Sequence, residues 1–263
     1  MLEYKPIPQK IKGYFFLAIK ANFCYTILFY AMDKLEINNL TIELNEQIII
    51  NELELEIFND KITAILGPNG TGKSTLFKSI IGQIKAKTGS IKINDTDINK
   101  LPIEARIKQG LAYLPQKTSI FRELTVQQNL FAAAEKMQSG NIQKVMYEFN
   151  IHKLANKKGK QLSGGQTRIV EIARCMMLAP KFLLLDEPFA GIDPKTINLI
   201  KQILITIKNR GVGVVITDHQ AEKTINMSDD NIILHKGKIM ARGSSQEILK
   251  NKQVKDIYLG SEK

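Results

Sequence analysis

The sequence predicts an α/β fold: a parallel-stranded core around a phosphate-binding loop, with a small antiparallel β region before it and an α-helical insert after it. Three observations carry this. From residue 34 onward, short runs alternate or cluster β-branched residues, as strands do. A G-x-x-x-x-G-K-[ST] sequence follows an apolar run and precedes a helical pattern. In the second half, helices alternate with continuous apolar runs, the pattern of parallel strands buried on both faces.

Taken in order, "KLEINNLTIEL" and "IIINELELEI" predict the small antiparallel sheet, and "KITAILG" the core strand feeding the loop. A helix is expected from Lys73, then strands at "GSIKIN" and "GLAYLP". Residues 125–156 read as mostly helical, with apolar positions at Val126, Leu130, Val145, Phe149 and Leu154 and a break at Gly140 and Asn141. The helical insert is therefore placed at about 123–160. A helix after Ser163 ends before Pro180; strand "KFLLLD", a helix from Pro194 and strand "GVGVVITD" follow.

Composition narrows the class. The 263 residues are 44% hydrophobic and 24% charged, ordinary for a globular domain. The net charge of +11 comes from 31 lysines and only 6 arginines, scattered without a basic run. Specific nucleic-acid readers lean on the arginine fork, so the charge reads as general attraction to anionic surfaces and no nucleic-acid partner is expected. Cys24 and Cys175 are far apart and lack CxxC companions, which excludes a zinc motif and a disulfide framework and fits a reducing compartment.

"GYFFLAIKANFCYTILFYAM" (13–32) is largely apolar and near the length of a membrane span. It reads as an anchor, as a surface-lying extension, or as a stretch ahead of a true start at Met32. Lys20 and Asn22 lie mid-run, and a central lysine costs about 2.5–3.5 kcal/mol on insertion. Lys5, Lys10 and Lys12 would also orient such a span with the nucleotide-binding part outside the cell. We therefore favour a start at Met32, with residues 1–31 an N-terminal extension outside the working protein and the working domain over 32–263.

The loop "GPNGTGKST" (67–75) suits a triphosphate. Gly67, Gly70 and Gly72 let backbone N–H groups turn inward, Lys73 places a charge at the β- and γ-phosphates, and Ser74 can ligate Mg²⁺. "FLLLDEP" ends a buried strand with Asp186, expected to hold Mg²⁺ through a water, and Glu187, expected to act as general base. Successive side chains of an extended chain point opposite ways, which would separate those tasks. His219 ends a further strand at the same sheet edge, within reach of a γ-phosphate; Gln116 follows another and offers a carbonyl to Mg²⁺ and an amide to water. Ser163, with Gln166 three residues on, has capping-box spacing, and Gly164 and Gly165 leave the first-turn N–H groups bare. An ordinary capped helix with an apolar face of Ile169, Ile172, Ala173 and Met176 explains that stretch equally well.

In order, "GPNGTGKST", Gln116, "LSGGQ", "LLLDEP", "AGID" and "TDH" resemble the Walker A, Q-loop, signature, Walker B, D-loop and H-loop of ATP-binding-cassette (ABC) ATPases. The resemblance runs from about Met32 to the C-terminus. It implies a P-loop NTPase core that hydrolyses ATP with Mg²⁺ in a head-to-tail homodimer. The nucleotide site then comprises Gly67, Pro68, Asn69, Gly70, Thr71, Gly72, Lys73, Ser74, Thr75, Gln116 and His219 of one chain and Ser163, Gly164, Gly165, Gln166 and Asp193 of the other. Lys73, Gln116, Glu187 and His219 would be catalytic, and Ser74, Gln116 and Asp186 would meet the metal.

Fewer than one hundred residues separate Gly67 from Leu162, without heptads or a cysteine cluster, unlike DNA-repair cassettes; a single cassette is unlike translation-factor chains. What remains is the energy subunit of a transporter, working on two integral membrane permease subunits from the cytoplasmic face of the inner membrane. "SIFRELTV", the phenylalanine of "DEPFAGID" and the ending "EILKNKQVKDIYLG" look like the ATPases of lipopolysaccharide exporters. Branched-chain amino-acid uptake ATPases are the alternative. In the exporter reading lipopolysaccharide is transported and does not touch this chain; Phe121 and Leu124 border the groove for a membrane-subunit helix or, equally, belong to the core of the helical insert. The family usually stacks an aromatic on adenine where spacing puts Leu44, which would cost about 0.5–1.5 kcal/mol of stacking.

Overall fold

The computed structural model describes residues 14–21, 24–134, 141–219 and 224–259. Its centre is a six-stranded sheet whose order brings the P-loop, Gln116, Asp186 and His219 to one edge. The strands are β5 (Ile62–Leu66), β8 (Leu111–Leu114), β9 (Phe182–Asp186), β10 (Gly213–Asp218), β11 (Asp230–His235) and β12 (Lys238–Gly243), in the order β12-β11-β5-β10-β9-β8. Strands β5, β9 and β10 are buried along their whole length, as their unbroken apolar runs require when both faces are covered.

Ahead of it lie β3 (Lys34–Leu44) and β4 (Gln47–Phe58), which with β6 (Thr88–Ile93) and β7 (Thr96–Asp97) form a four-stranded antiparallel sheet. In β4, Leu53, Leu55 and Ile57 are buried while Glu52, Glu54 and Glu56 face solvent, the period-two signature of a half-covered sheet. Strands β1 (Tyr14–Ala21) and β2 (Cys24–Ala31) pair with each other as an antiparallel hairpin. No helix among the described residues is long and apolar enough to cross a membrane.

Helix α1 (Lys73–Ile81) lies between the two sheets. Leu76, Phe77 and Ile80 share one core with Leu35, Ile37 and Leu40 of the small sheet and Ile65 and Leu184 of the large one. After α2 (Ile103–Lys108), the helical insert provides α3 (Val126–Ala134) and α4 (Ile142–Glu148). Val126, Leu130, Met146 and Phe149 bury themselves against α5 (Gly164–Met176), through Ile169, Ile172 and Ala173, in a second core. Asn141 caps α4, its side chain accepting from Lys144 N at 3.1 Å; Gly140 lies outside the described residues. Helix α6 (Pro194–Asn209) connects β9 to β10, and α7 (Ser245–Lys250) follows the sheet.

The C-terminal part departs from the alternating parallel pattern. Strands β11 and β12 form an antiparallel hairpin added to the parallel sheet. Its two turn residues, Lys236 and Gly237, both have positive φ (46° and 75°), the geometry a tight two-residue hairpin needs.

Candidate active site

Four strands bring their carboxyl ends to one edge. From the P-loop after β5, the order runs to His219 after β10, Asp186 at the end of β9 and Gln116 beyond β8. Register aligns Leu66 with Asp218, Thr217 with Asp186 and Leu114 with Leu185. Motifs far apart in sequence thereby stand side by side, at the end of the strands where open α/β sheets bind ligands.

The P-loop is pressed between neighbours. Gly67 has φ +152°, and a β-carbon there would collide with the Leu234 carbonyl oxygen of β11. At Gly72 (φ +102°) it would lie 2.7 Å from Ile50 Cδ1 of β4. Only glycine meets both demands, left-handed backbone and close approach. Lys73 is 5% exposed and donates to the carbonyl oxygens of Gly67 (2.7 Å) and Pro68 (2.9 Å). Burial pulls its pKa below the usual lysine value, against the opposing pull of Glu187, Asp186 and Asp218. Thr71 Oγ1 donates to the Pro68 carbonyl at 3.0 Å and tightens the loop.

Asp186 is almost fully buried and collects hydroxyl donors. Ser74 Oγ and Thr217 Oγ1 donate to its Oδ1 at 3.0 and 2.6 Å, and Tyr113 OH to its Oδ2 at 3.3 Å. Burial, then the charge and hydrogen bond of Asp186, push the Tyr113 phenol far above its usual value, so it stays a donor.

Glu187 leaves the strand in the left-handed region (φ +47°), its N–H donating to the Thr217 carbonyl at 3.0 Å. Its direction is therefore set by a backbone turn rather than by the alternation of extended chain, which corrects the reason expected from sequence. A non-glycine residue held at such φ marks stored strain of the kind that clusters at functional sites. Gln116 Nε2 donates to Glu187 Oε2 at 2.8 Å. His219 Nδ1 lies 3.2 Å from Oε1, without hydrogen-bond alignment.

Asn69, Gly70, Gly72, Lys73, Ser74, Thr75, Gln116, Glu187 and His219 all line one cleft of about 510 Å³. Gly67, Pro68 and Thr71 shape the loop behind it, and Asp186 lies beneath Ser74. The apolar residue lining that cleft is Ile49. Leu44, at the end of β3 opposite Gln47, is not among the residues lining it.

Ser163, Gly164, Gly165, Gln166 and Asp193 do not line this cleft. Ser163 and Gln166 form a reciprocal capping box on α5, with both bonds at 3.2 Å. Ser163 and Gly164 are exposed, and Gly165 is packed against Thr196. Asp193 caps α6 by accepting from Thr196 N at 3.0 Å, and its hydrogen bonds with Thr196 hold its carboxyl below the usual range. Phe121 and Leu124 are 51% and 37% exposed, so neither belongs to the core of the insert.

Sequence reasoning missed a polar buttress on α5. Arg168 donates to the carbonyls of Pro115 and Gln116, both at 3.2 Å, and to Glu171 Oε2 at 3.3 Å. Glu171 Oε1 accepts from Thr118 Oγ1 at 2.9 Å and from Ser119 N. Arg174 donates to Ser119 O at 2.8 Å, and its guanidinium lies 5.3 Å from the Phe121 ring centroid. The helix headed by "LSGGQ" thus grips the segment carrying Gln116 in the same chain. The R-x-x-E spacing at 168–171 was the available signal, an i,i+3 ion pair.

The fold and this site define a P-loop nucleotide hydrolase of the mixed-sheet, helical-insert type. The ABC transporter family profile matches residues 50–190, and the chain belongs to that family, whose domain binds and hydrolyses ATP. It is 39% identical over 238 residues to the lipopolysaccharide export system ATP-binding protein LptB of Haemophilus influenzae, covering 88% of this chain and 99% of that protein. LptB of Escherichia coli K12 is 40% identical over 221 residues, covering 81% and 92%. The ADP conformation of MJ1267, an ATP-binding cassette of an ABC transporter, matches 88% of this chain and all of its own with TM-score 0.79 at 26% identity.

Proposed function

We propose that this chain is the ATPase subunit of a lipopolysaccharide exporter. In this reading it works as a homodimer on two integral membrane subunits at the cytoplasmic face of the inner membrane. The observation that carries the hydrolytic part is the convergence of Lys73, Ser74, Asp186, Glu187, Gln116 and His219 on one sheet edge. The transported substrate is inferred from the LptB relatives, which span nearly the whole of this chain's ATPase part.

The donors suit Mg²⁺: a hydroxyl and a carboxylate, both hard oxygens, meet at 3.0 Å beside the P-loop. Ser74 and Asp186 would hold the ion, which would supply positive charge to offset that of the phosphates. Lys73 and the loop N–H groups orient the γ-phosphate. Glu187 accepts a proton from water as its oxygen attacks γ-phosphorus and the bond to the β–γ bridging oxygen breaks. Gln116 keeps the Glu187 carboxylate aimed, and His219, lining the same cleft, is within reach of the γ-phosphate. Ile49 covers the nucleotide's apolar side: Ile49→Ala should weaken ATP binding by roughly 3- to 10-fold, and Leu44→Ala by less, in equilibrium titrations.

In the dimer, Ser163 and Gly164 of each chain complete the partner's cleft, since in their own chain they stand apart from it. Subunit complementation tests this. Lys73→Ala and Ser163→Arg homodimers should both be inactive. Mixed one to one, they should regain activity, because the hybrid carries one site with both parts intact. No recovery would mean that the signature acts within its own chain. For the transported substrate, co-purification of the native complex should yield two membrane subunits. Depletion of the chain should trap lipopolysaccharide in the inner membrane, and its normal arrival outside would overturn the exporter reading.

A further inference from the structure

Thr217 sits on the central strand β10, opposite Ile65 of the loop-bearing strand and Asp186 of β9. It is completely buried, a polar residue following the apolar run Val214, Val215 and Ile216. A hydroxyl in such a place is costly unless it is bonded, so its partners indicate why it is there. Its Oγ1 donates to Asp186 Oδ1 at 2.6 Å. The same oxygen accepts from Glu187 N at 3.3 Å, and the Thr217 carbonyl accepts from that N–H at 3.0 Å. One side chain therefore touches both acids. Because its single proton goes to Asp186, Thr217 leaves lone pairs toward Glu187 N, and the direction of the chain Glu187 N–H to Oγ1 to Asp186 is settled.

We propose that Thr217 is a positioning residue for hydrolysis: its hydroxyl sets the Asp186 carboxylate that faces Ser74 and braces the left-handed turn that aims Glu187. Tyr113 secures the other Asp186 oxygen, leaving the carboxylate little freedom to rotate. This deepens the proposed site and rests on reading Asp186 as the metal-holding acid and Glu187 as the base.

Valine and serine divide the two properties of threonine. Thr217→Val keeps the shape and loses the hydroxyl; Thr217→Ser keeps the hydroxyl and loses a methyl group. Thr217→Val should unfold near the wild-type temperature, yet lower kcat by about 10- to 100-fold, the range for losing a hydrogen bond to a charged group. It should bind ATP in EDTA as wild type does, and its ADP complex should bind Mn²⁺, followed by electron paramagnetic resonance, about 10-fold more weakly. Thr217→Ser should show the reverse: a lower unfolding temperature with wild-type kcat and Mn²⁺ affinity. Wild-type kcat and Mn²⁺ affinity in Thr217→Val, or equal impairment of the two variants, would overturn the proposal. If Glu187→Gln, run alongside, hydrolyses ATP normally, the base assignment is what fails; if Glu187→Gln is inactive while Thr217→Val is normal, the fault lies with Thr217 alone.

Discussion

Glu187→Gln protein should bind ATP with near-wild-type affinity and hydrolyse it about 10²- to 10⁴-fold more slowly, the range for removing a positioned general base. The substitution keeps the shape of the side chain and the Thr217 bond to its N–H, because that bond belongs to the backbone. What disappears is the carboxylate that receives the proton. Gln116 also loses a charged acceptor at 2.8 Å, so the water loses both its base and part of its orientation. With binding intact and turnover gone, ATP should hold two chains together, and size-exclusion chromatography should show an ATP-dependent dimer that persists for hours. Normal turnover in this variant would remove Glu187 from the mechanism.

The second large effect is on stability. Glu171→Ala should destabilise the chain by about 3–5 kcal/mol in urea unfolding, because it leaves a buried guanidinium without its partner. Arg168 is 6% exposed and Glu171 1%, so neither is rescued by solvent. Thr118 and Ser119, whose hydroxyl and N–H donate to Glu171, would be stranded with it. Replacing both charges, Arg168→Leu with Glu171→Leu, should recover part of that loss, since apolar pairs often equal buried ion pairs in stability. It should not recover turnover. The carbonyls of Pro115 and Gln116 would have lost the donor that holds the Gln116 segment against α5. A double variant as active as wild type would show that the buttress serves stability alone.

Local features were legible from the sequence because they are encoded locally. The glycines of "GPNGTGKST", the capping box at Ser163 and Gln166, and the buried runs "KITAIL", "KFLLLD" and "GVVITD" each depend on a few consecutive residues. Two features were harder. The β11–β12 hairpin depends on a Lys236–Gly237 turn whose conformation is unremarkable in composition. Ile49 lines the cleft, and spacing alone does not point to it: the pairing of β3 and β4 shifts register between Ile37 and Glu43, and spacing counts residues without seeing bulges.

By itself the sequence determined the α/β class, the order of the motifs and the chemical types available for phosphate, metal and proton transfer. Tertiary structure decided which of those groups meet. Asp186 touches Thr217 across 31 positions and Ser74 across 112, and Gln116 reaches Glu187 across 71. Such encounters follow from strand order and register, which emerge when several buried strands pack at once. They leave no trace in any short stretch of chain, because the energy that selects them is shared over the whole core.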